Sequence, residues 1–301
     1  MSSLTAVLLT YNESLHIERC LRSLAPVVEK VFVVDSNSTD DTVQKARSLG
    51  AQVITHPWSN YADQFQWGLD HCEAKTEWLM RIDADEYLEE ELQLELPDLL
   101  TSVPPEVDGI YIKRKVFFYG KWIRYGGFYP QILLRIWRTG KGRIEQRWMD
   151  EHIVLSPGAR FVTARGHLVD DNLKGITFWI NKHNRYASRE AVDLLNTKYP
   201  LLDRDEALQV VDDPQAKRKR RIKEKGYARL PVGLRAGLYF IYRYFVCLGF
   251  LDGYKGFIWH FMQGFWYRLL VDLKILEIEA RSAGEVEKMK EILRKEHGLD
   301  L

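Results

Sequence analysis

The 301-residue chain predicts an α/β protein, a mixed and mainly parallel sheet flanked by helices, with a helical region at its C-terminal end. Three observations carry this. Short apolar runs of strand length alternate with segments whose apolar residues recur at helical spacing. The first runs end in small polar residues that suit helix starts. From Leu234 onward the alternation gives way to a stretch rich in Phe, Tyr and Trp. Two domains are expected, residues 1–226 and 227–301.

Leu4–Leu9 reads as a buried strand. Thr10-Tyr11-Asn12-Glu13-Ser14 turns from it into a helix that puts Ile17, Cys20, Leu21 and Leu24 on one face. Val31–Val34 is a second strand, and the polar stretch Asp35–Asp41 caps a helix that runs to Leu49 and stops at Gly50. Ala51–Thr55 is a third, short strand. After Pro57-Trp58-Ser59-Asn60 a helix carries Phe65, Leu69 and Cys72 toward a strand that begins at Trp78. Gly109–Tyr119 and Gln131–Trp137 read as strands with mixed apolar and basic positions, and Ala159–Thr163 as another. Lys182–Ala187 opens a helix, and Glu277–His297 is a charged surface helix. Strands alternating with helices indicate a parallel sheet covered on both faces.

Charge is nearly balanced, 43 basic residues against 42 acidic, so no nucleic-acid partner is expected. Cys20, Cys72 and Cys247 have neither paired nor metal-ligand spacing, which fits a reducing cytoplasm. Leu4–Leu9 is too short for the apolar core of a signal peptide.

Chemistry concentrates at Trp78–Glu86, where an apolar run ends in Asp83-Ala84-Asp85. Alternate residues of a strand share a face, so both carboxylates project together at its carboxyl end, where open α/β sheets hold ligands. Two hard oxygen donors suit Mg²⁺ or Mn²⁺ carrying a substrate phosphate. An acidic helix start, with Asp85 capping Leu88–Leu99, is the other reading. The first turn, Thr10-Tyr11-Asn12-Glu13, lacks the glycines of a dinucleotide fold or a P-loop. It also lacks the glycine-rich basic loop of a nucleotidylyltransferase.

Taken together and in order, Leu9–Glu13, Val33–Asp40 and Ile82–Glu86 resemble the family 2 inverting glycosyltransferases of the GT-A fold. Within them, the likeness is to the bacterial branch that includes the lipopolysaccharide-core β-1,4-glucosyltransferases. The resemblance implies a hexosyltransferase that uses a nucleotide-sugar donor, UDP-linked, with Mg²⁺ or Mn²⁺. The acceptor would be a glycan or lipid-linked glycan of cell-surface polysaccharide or lipopolysaccharide synthesis. A catalytically silent subunit that binds sugar nucleotides or glycans is the alternative from another class.

By the same resemblance, Thr10, Tyr11 and Asp35 hold base and ribose. A carboxylate can accept from uracil N3–H, and an aromatic face can cover the ring. Glu13 is either beside them or simply a first-turn helix acid. Asp83 faces the ribose and, with Asp85, the metal-bound pyrophosphate. A late histidine of the metal shell falls on His167, preferred over His152 and His183. Gln64 is counted as a donor-sugar or phosphate contact, and Arg81 as a donor or acceptor contact. Displacement at an anomeric carbon needs a base for the acceptor hydroxyl. The family's base is the second residue of an acidic pair, here Glu151 in Trp148-Met149-Asp150-Glu151-His152. The pair is Asp–Glu rather than Glu–Asp, so Asp150 stays open. Gly127, in the Tyr125–Pro130 loop, belongs either to an acceptor-shaping loop or to a plain turn. Lys182 and Arg185 are diphosphate contacts or a solvated helix face.

Leu234–Leu276 is interrupted by charges and reaches no uninterrupted span of ~18–20 apolar residues. Its aromatics, downstream of a basic run between Lys217 and Arg229, suggest peripheral attachment to the inner face of the cytoplasmic membrane. A helical core or a contact with another subunit of a homo-oligomer is the competing reading.

Overall fold

The computed structural model describes residues 3–145, 151–201 and 233–299. The chain forms two compact units: the first from Met1–Arg124, Phe128–Gln146 and Glu151–Leu173, the second chiefly from Tyr125–Gly127 and Lys174–Leu301. The expected boundary at residues 226/227 lies outside the described residues.

In the first unit the elements run β1 (Leu4–Thr10), α1 (Ile17–Leu24), β2 (Lys30–Asp35), α2 (Thr42–Ser48), β3 (Gln52–Thr55) and α3 (Tyr61–His71). There follow β4 (Trp78–Arg81), β5 (Glu86–Leu88), α4 (Glu90–Ser102), β6 (Val107–Phe118), β7 (Lys121–Ile123) and β8 (Gln131–Arg138). The short hairpin β9 (Gly142–Ile144) and β10 (Ile153–Leu155) precedes β11 (Arg160–Asp170). The main sheet is ordered β3-β2-β1-β4-β8-β6-β11-β5, with β7 paired to β6. Its first four strands are parallel, β8 is antiparallel to β4 and β6, and β5 is antiparallel to β11. The α/β expectation holds: this is the mixed, helix-flanked sheet of a GT-A architecture.

Strand alternation splits the core between two faces. Leu4, Ala6 and Leu8 of β1, with Trp78 and Met80 of β4, pack with Ile17, Leu21 and Leu24 of α1 and Leu92 and Leu96 of α4. Val7 and Leu79 point the other way, to Phe65 of α3, Trp137 and Ile153. Strand order reverses around β1, with β2 on one side and β4 on the other. A crevice at the carboxyl ends of these three strands is therefore where a ligand would lie.

Two expectations change. The strand foreseen over Ala159–Thr163 continues to Asp170, with a register shift between Thr163 and His167. Gly166 sits in that bulge because a Cβ there would stand 2.6 Å from the backbone of Leu92. The bulge lets α4 lie close on the sheet. The tail is two helices rather than one, broken at Ala283-Gly284, both with positive φ.

The second unit begins with α5 (Ile176–Leu195) and resumes with α6 (Leu234–Ile241), whose π-helical extension is Tyr242–Val246. A 3₁₀ turn (Gly249–Asp252) leads into α7 (Gly253–His260), a π-helical stretch (Phe261–Trp266), α8 (Tyr267–Ser282) and α9 (Val286–His297). Val192 and Leu195 of α5 pack with Ile278 of α8 and Met289 and Leu293 of α9. Glu190 of α5 accepts from the Tyr267 hydroxyl at 2.7 Å and from Arg268 at 2.6 Å.

Candidate active site

Thr10 ends β1 and Asp35 ends β2, and the parallel register sets them side by side. The Thr10 hydroxyl donates to Asp35 Oδ2 at 2.7 Å. Ser38 donates its backbone N–H to Oδ1 at 2.8 Å and its hydroxyl to Oδ2 at 2.6 Å. A carboxylate accepts about four hydrogen bonds. Asp35 is buried, fixed in orientation by these three, and retains capacity on Oδ1. Tyr11 is exposed at the same strand end, free to cover a ring.

Glu13 has a different job. Its carboxylate accepts from Nδ1 of the fully buried His16 at 2.6 Å, while His16 Nε2 accepts the Leu173 N–H at 2.8 Å. A backbone N–H can only donate, so His16 carries its proton on Nδ1. Glu13 thus braces the turn that precedes α1; the acid in the helix's first turn is Glu18.

Asp83 and Asp85 lie just past β4, half-exposed, alternating with buried Ile82, Ala84 and Glu86. Asp83 Oδ1 accepts from the Tyr61 hydroxyl at 2.6 Å, and Oδ2 is 3.6 Å from Arg135. Burial alone would raise its pKa, but the guanidiniums of Arg135 and Arg81 and the Tyr61 hydroxyl outweigh it. Asp83 is held well below the usual carboxylate range. Buried Glu86 accepts from the Asp83 N–H at 2.9 Å, from Arg135 at 2.5 Å and from Arg114 at 3.4 Å. Arg114 also lies 3.4 Å from Asp170. Desolvation, followed by the charge of Asp83, pushes Glu86 up to about 7 against the pull of Arg135. Of the two acids that share Arg135, Glu86 takes a proton first.

Asp85 is tied differently. Its Oδ2 accepts from Asn172 at 2.8 Å, and its carbonyl accepts from the Asp171 N–H at 3.2 Å and from Arg19 at 3.3 Å. Arg19 also binds the Asp171 carboxylate at 2.7 Å. The segment after β11 therefore closes over the Asp85 turn.

Glu151 begins the described segment that enters β10. Its carbonyl accepts from Arg81 at 2.8 Å, so the last residue of β4 tethers it to the strand that carries the Asp83–Asp85 turn. The Arg81 guanidinium is itself stacked over Tyr61, 4.6 Å from the ring centre. Asp150 lies outside the described residues.

His167 is not brought to the aspartates. The antiparallel register sets Asp170 opposite Glu86 and Leu168 opposite Leu88. His167 is thus three residues up the strand from Asp170, ~10 Å away at a strand's rise. Its Nε2 lies 2.8 Å from the Tyr129 hydroxyl and its Nδ1 3.5 Å from Glu89. Desolvation, helped by Lys115, lowers its pKa. Among the described residues no cluster of three or more His, Cys, Asp or Glu is placed to hold a metal.

Gln64 is fully buried and spends its amide inside the protein. Its Nε2 donates to Ser36 Oγ and to the His56 carbonyl, each at 3.0 Å, and its Oε1 meets His56 Nδ1 at 2.8 Å. It braces the loop after Asp35 rather than facing a ligand. Gly127 has a φ of +69° and open space around its Cβ position. Lys182 and Arg185 belong to α5 in the second unit, Arg185 on an exposed face.

Sequence reasoning missed Tyr61, Glu86, Arg135, Arg19 and Asn172. Glu86 stood in the quoted motif, and Tyr61 opens the helix that follows Asn60. Arg19 and Asn172 carried no signal, since they meet Asp85 across 66 and 87 residues.

A family model described as "Glycosyl transferase family 2" matches residues 5–165. An uncharacterized glycosyltransferase of Rickettsia prowazekii is 42% identical over 102 residues, covering 34% of this chain and 34% of that protein. The chain thus spans about a third of the length of that relative. The lipopolysaccharide core biosynthesis glycosyltransferase LpsC of Rhizobium meliloti is 30% identical over 199 residues, 62% of this chain and 70% of LpsC. Among solved structures, glucosyl-3-phosphoglycerate synthase of Mycobacterium tuberculosis, bound to Mn²⁺, UDP and glucosyl-3-phosphoglycerate, is similar at 24% identity and a TM-score of 0.31. It covers 38% of this chain and 44% of that one.

Proposed function

The chain belongs to glycosyl transferase family 2, and on that footing we propose an inverting, metal-dependent transfer of a hexose from a UDP-sugar to a glycan or lipid-linked glycan. Lipopolysaccharide or other cell-surface polysaccharide synthesis is the setting, supported by the likeness to LpsC. One observation carries the reading. The buried Asp35–Thr10 pair and the half-exposed Asp83–Asp85 turn meet at the carboxyl ends of neighbouring strands β2, β1 and β4.

In this reading Tyr11 covers the base and Asp35 Oδ1 accepts its N–H. Asp85 and Asp83 would hold the metal. Carboxylates are hard donors that suit Mg²⁺ or Mn²⁺, which keep water and take further oxygens from substrate phosphates. When bound, the ion offsets charge on the departing diphosphate. Tyr61 and Arg135 fix the Asp83 carboxylate and keep it ionised. Glu151 takes the proton of the acceptor hydroxyl as its oxygen bonds to the anomeric carbon, and the bond to the diphosphate breaks.

A panel of UDP-, GDP- and dTDP-sugars, assayed for diphosphate release with and without EDTA, tests this. Release from a UDP-hexose that EDTA abolishes is expected. Turnover indifferent to EDTA would remove the metal, and no turnover of any donor by a protein that binds UDP would favour a silent binding subunit.

A further inference from the structure

Between Leu234 and Trp266 the usual arrangement of a water-facing helix is reversed. Charged groups turn inward. Arg235 is buried against Asp272, with Nε donating to Oδ2 at 2.7 Å. Arg243 donates to the Gly126 carbonyl at 2.6 Å and to the Tyr239 hydroxyl at 3.0 Å. Buried Asp252 accepts the Tyr125 N–H at 3.0 Å and lies 3.2 Å from buried His260. Among the charged residues of this segment, Lys255 alone is exposed.

Apolar groups turn outward. Leu238, Ile241 and Phe245 recur at helical spacing on an exposed stripe of α6 and its π-helical extension. Past the bend, Phe250 and Tyr254 continue the exposed apolar surface, and Val246 and Tyr254 are 66% and 78% exposed. Monomers in water rarely show so continuous an apolar face.

At the break, backbone groups find partners inside the protein. No single helix is long and apolar enough to cross a membrane, but Leu234–Val246 and Gly249–Ser282, bent by 70°, together have that length and hydropathy. A helix break in lipid must satisfy its freed polar groups internally. Here the Cys247 N–H bonds the Tyr242 carbonyl at 2.9 Å, and the Cys247 carbonyl accepts the Gly126 N–H at 2.8 Å. Only glycine seats there, because φ is +66° and a Cβ would stand 2.2 Å from His260 Cε1.

We propose that residues 234–261 form a monotopic hairpin that beds its apolar face in one leaflet of an anionic bilayer, with the Tyr125–Gly127 turn held on its polar side. Charge selects lipid over a second copy of the chain. Eight basic residues against the single acid Glu224 precede the hairpin between Lys217 and Arg229. A run this close in sequence to Leu234 favours anionic headgroups and disfavours a second copy that carries the same charge.

Full-length protein is floated with vesicles of phosphatidylethanolamine and phosphatidylglycerol, at low and at high salt, without donor or acceptor. Vesicle binding is thus read apart from any transferase chemistry. The double variant Val246→Glu, Tyr254→Glu is run beside it, checked by circular dichroism; both side chains are exposed, so the fold should survive. Wild type should float and stay bound at high salt, and the variant should lose binding on the order of tenfold or more. Wild type that stays at the bottom overturns the proposal. So does complete release by salt with a variant that floats like wild type, since adsorption is then purely electrostatic. A wild-type dimer that the variant splits, without flotation, gives the face to a second copy.

Discussion

At the strand ends of the first unit, Asp83, Glu86 and Asp170 share a network with Arg135, Arg114 and Arg81, and the Asp83–Asp85 turn stays half-exposed at its rim. In the Leu234–Trp266 segment of the second unit the buried charges are few, Arg235 paired with Asp272 and Asp252 beside His260, and what the segment leaves outside is mostly apolar. The first arrangement leaves ionised oxygen exposed at its rim, and the second leaves hydrocarbon exposed. What a region leaves exposed, more than what it buries, separates a reactive surface from an adhesive one.

The sharpest way to break the first half of that contrast is Glu151→Gln. The amide keeps the shape and cannot take the proton, so transfer should fall about 10³-fold while UDP affinity stays near wild type. Asp150→Asn should be nearly silent; the reverse pattern in initial-rate assays would move the base to Asp150.

Arg135→Met comes next. Removing one partner of a buried ion pair leaves uncompensated charge and costs about 3–5 kcal/mol. Thermal unfolding should register the loss clearly, and Glu86→Gln should cost much less, because Glu86 already leans toward its neutral form. Equal losses in the two variants would mean that Glu86 is ionised at neutral pH.

How much of this was legible follows from where each signal lives. The strands of the parallel half read directly, because β1, β2 and β4 are buried on both faces and so are continuous apolar runs. β5, β7, β9 and β10 are three residues each, too short for a period to show. The Asp83–Asp85 pair was visible as a local motif, with Arg81 beside it; the other guanidiniums that tune it, Arg135 and Arg114, come from β8 and β6, and only the sheet order brings them in. His167 illustrates the cost of reading order without register, since the pairing with β5 stops it short of the aspartates, three residues before Asp170. In the second unit the aromatic density was plain, but core, subunit and lipid share that composition. Exposure separates the core reading from the other two, and exposure is not in the sequence.

The two units should also answer pH in opposite directions. His183 of α5 is buried beside Trp179 and Gln263, and desolvation pushes it down to about 4. Its stabilising contribution is complete above the unfolded value near 6.5 and fades as pH falls toward 4, by up to about 2–3 kcal/mol. Glu86, pushed up to about 7, contributes fully below its unfolded value near 4.5 and loses that as pH rises through 7. Urea midpoints across this range should lose the acid limb in His183→Gln and the neutral limb in Glu86→Gln. Limbs unchanged by both substitutions would assign the titration elsewhere.

The smallest effect is the most direct. UDP affinity measured by calorimetry, with and without Mn²⁺, reports whether the Asp83–Asp85 turn holds a metal with the diphosphate, independently of any acceptor. Coupling between metal and nucleotide is reciprocal. Wild type should bind UDP about tenfold or more tighter with Mn²⁺, a coupling of ~1.4 kcal/mol, and Asp85→Asn should show almost none. Equal UDP affinity in wild type with and without Mn²⁺ would contradict the metal-dependent reading of this site.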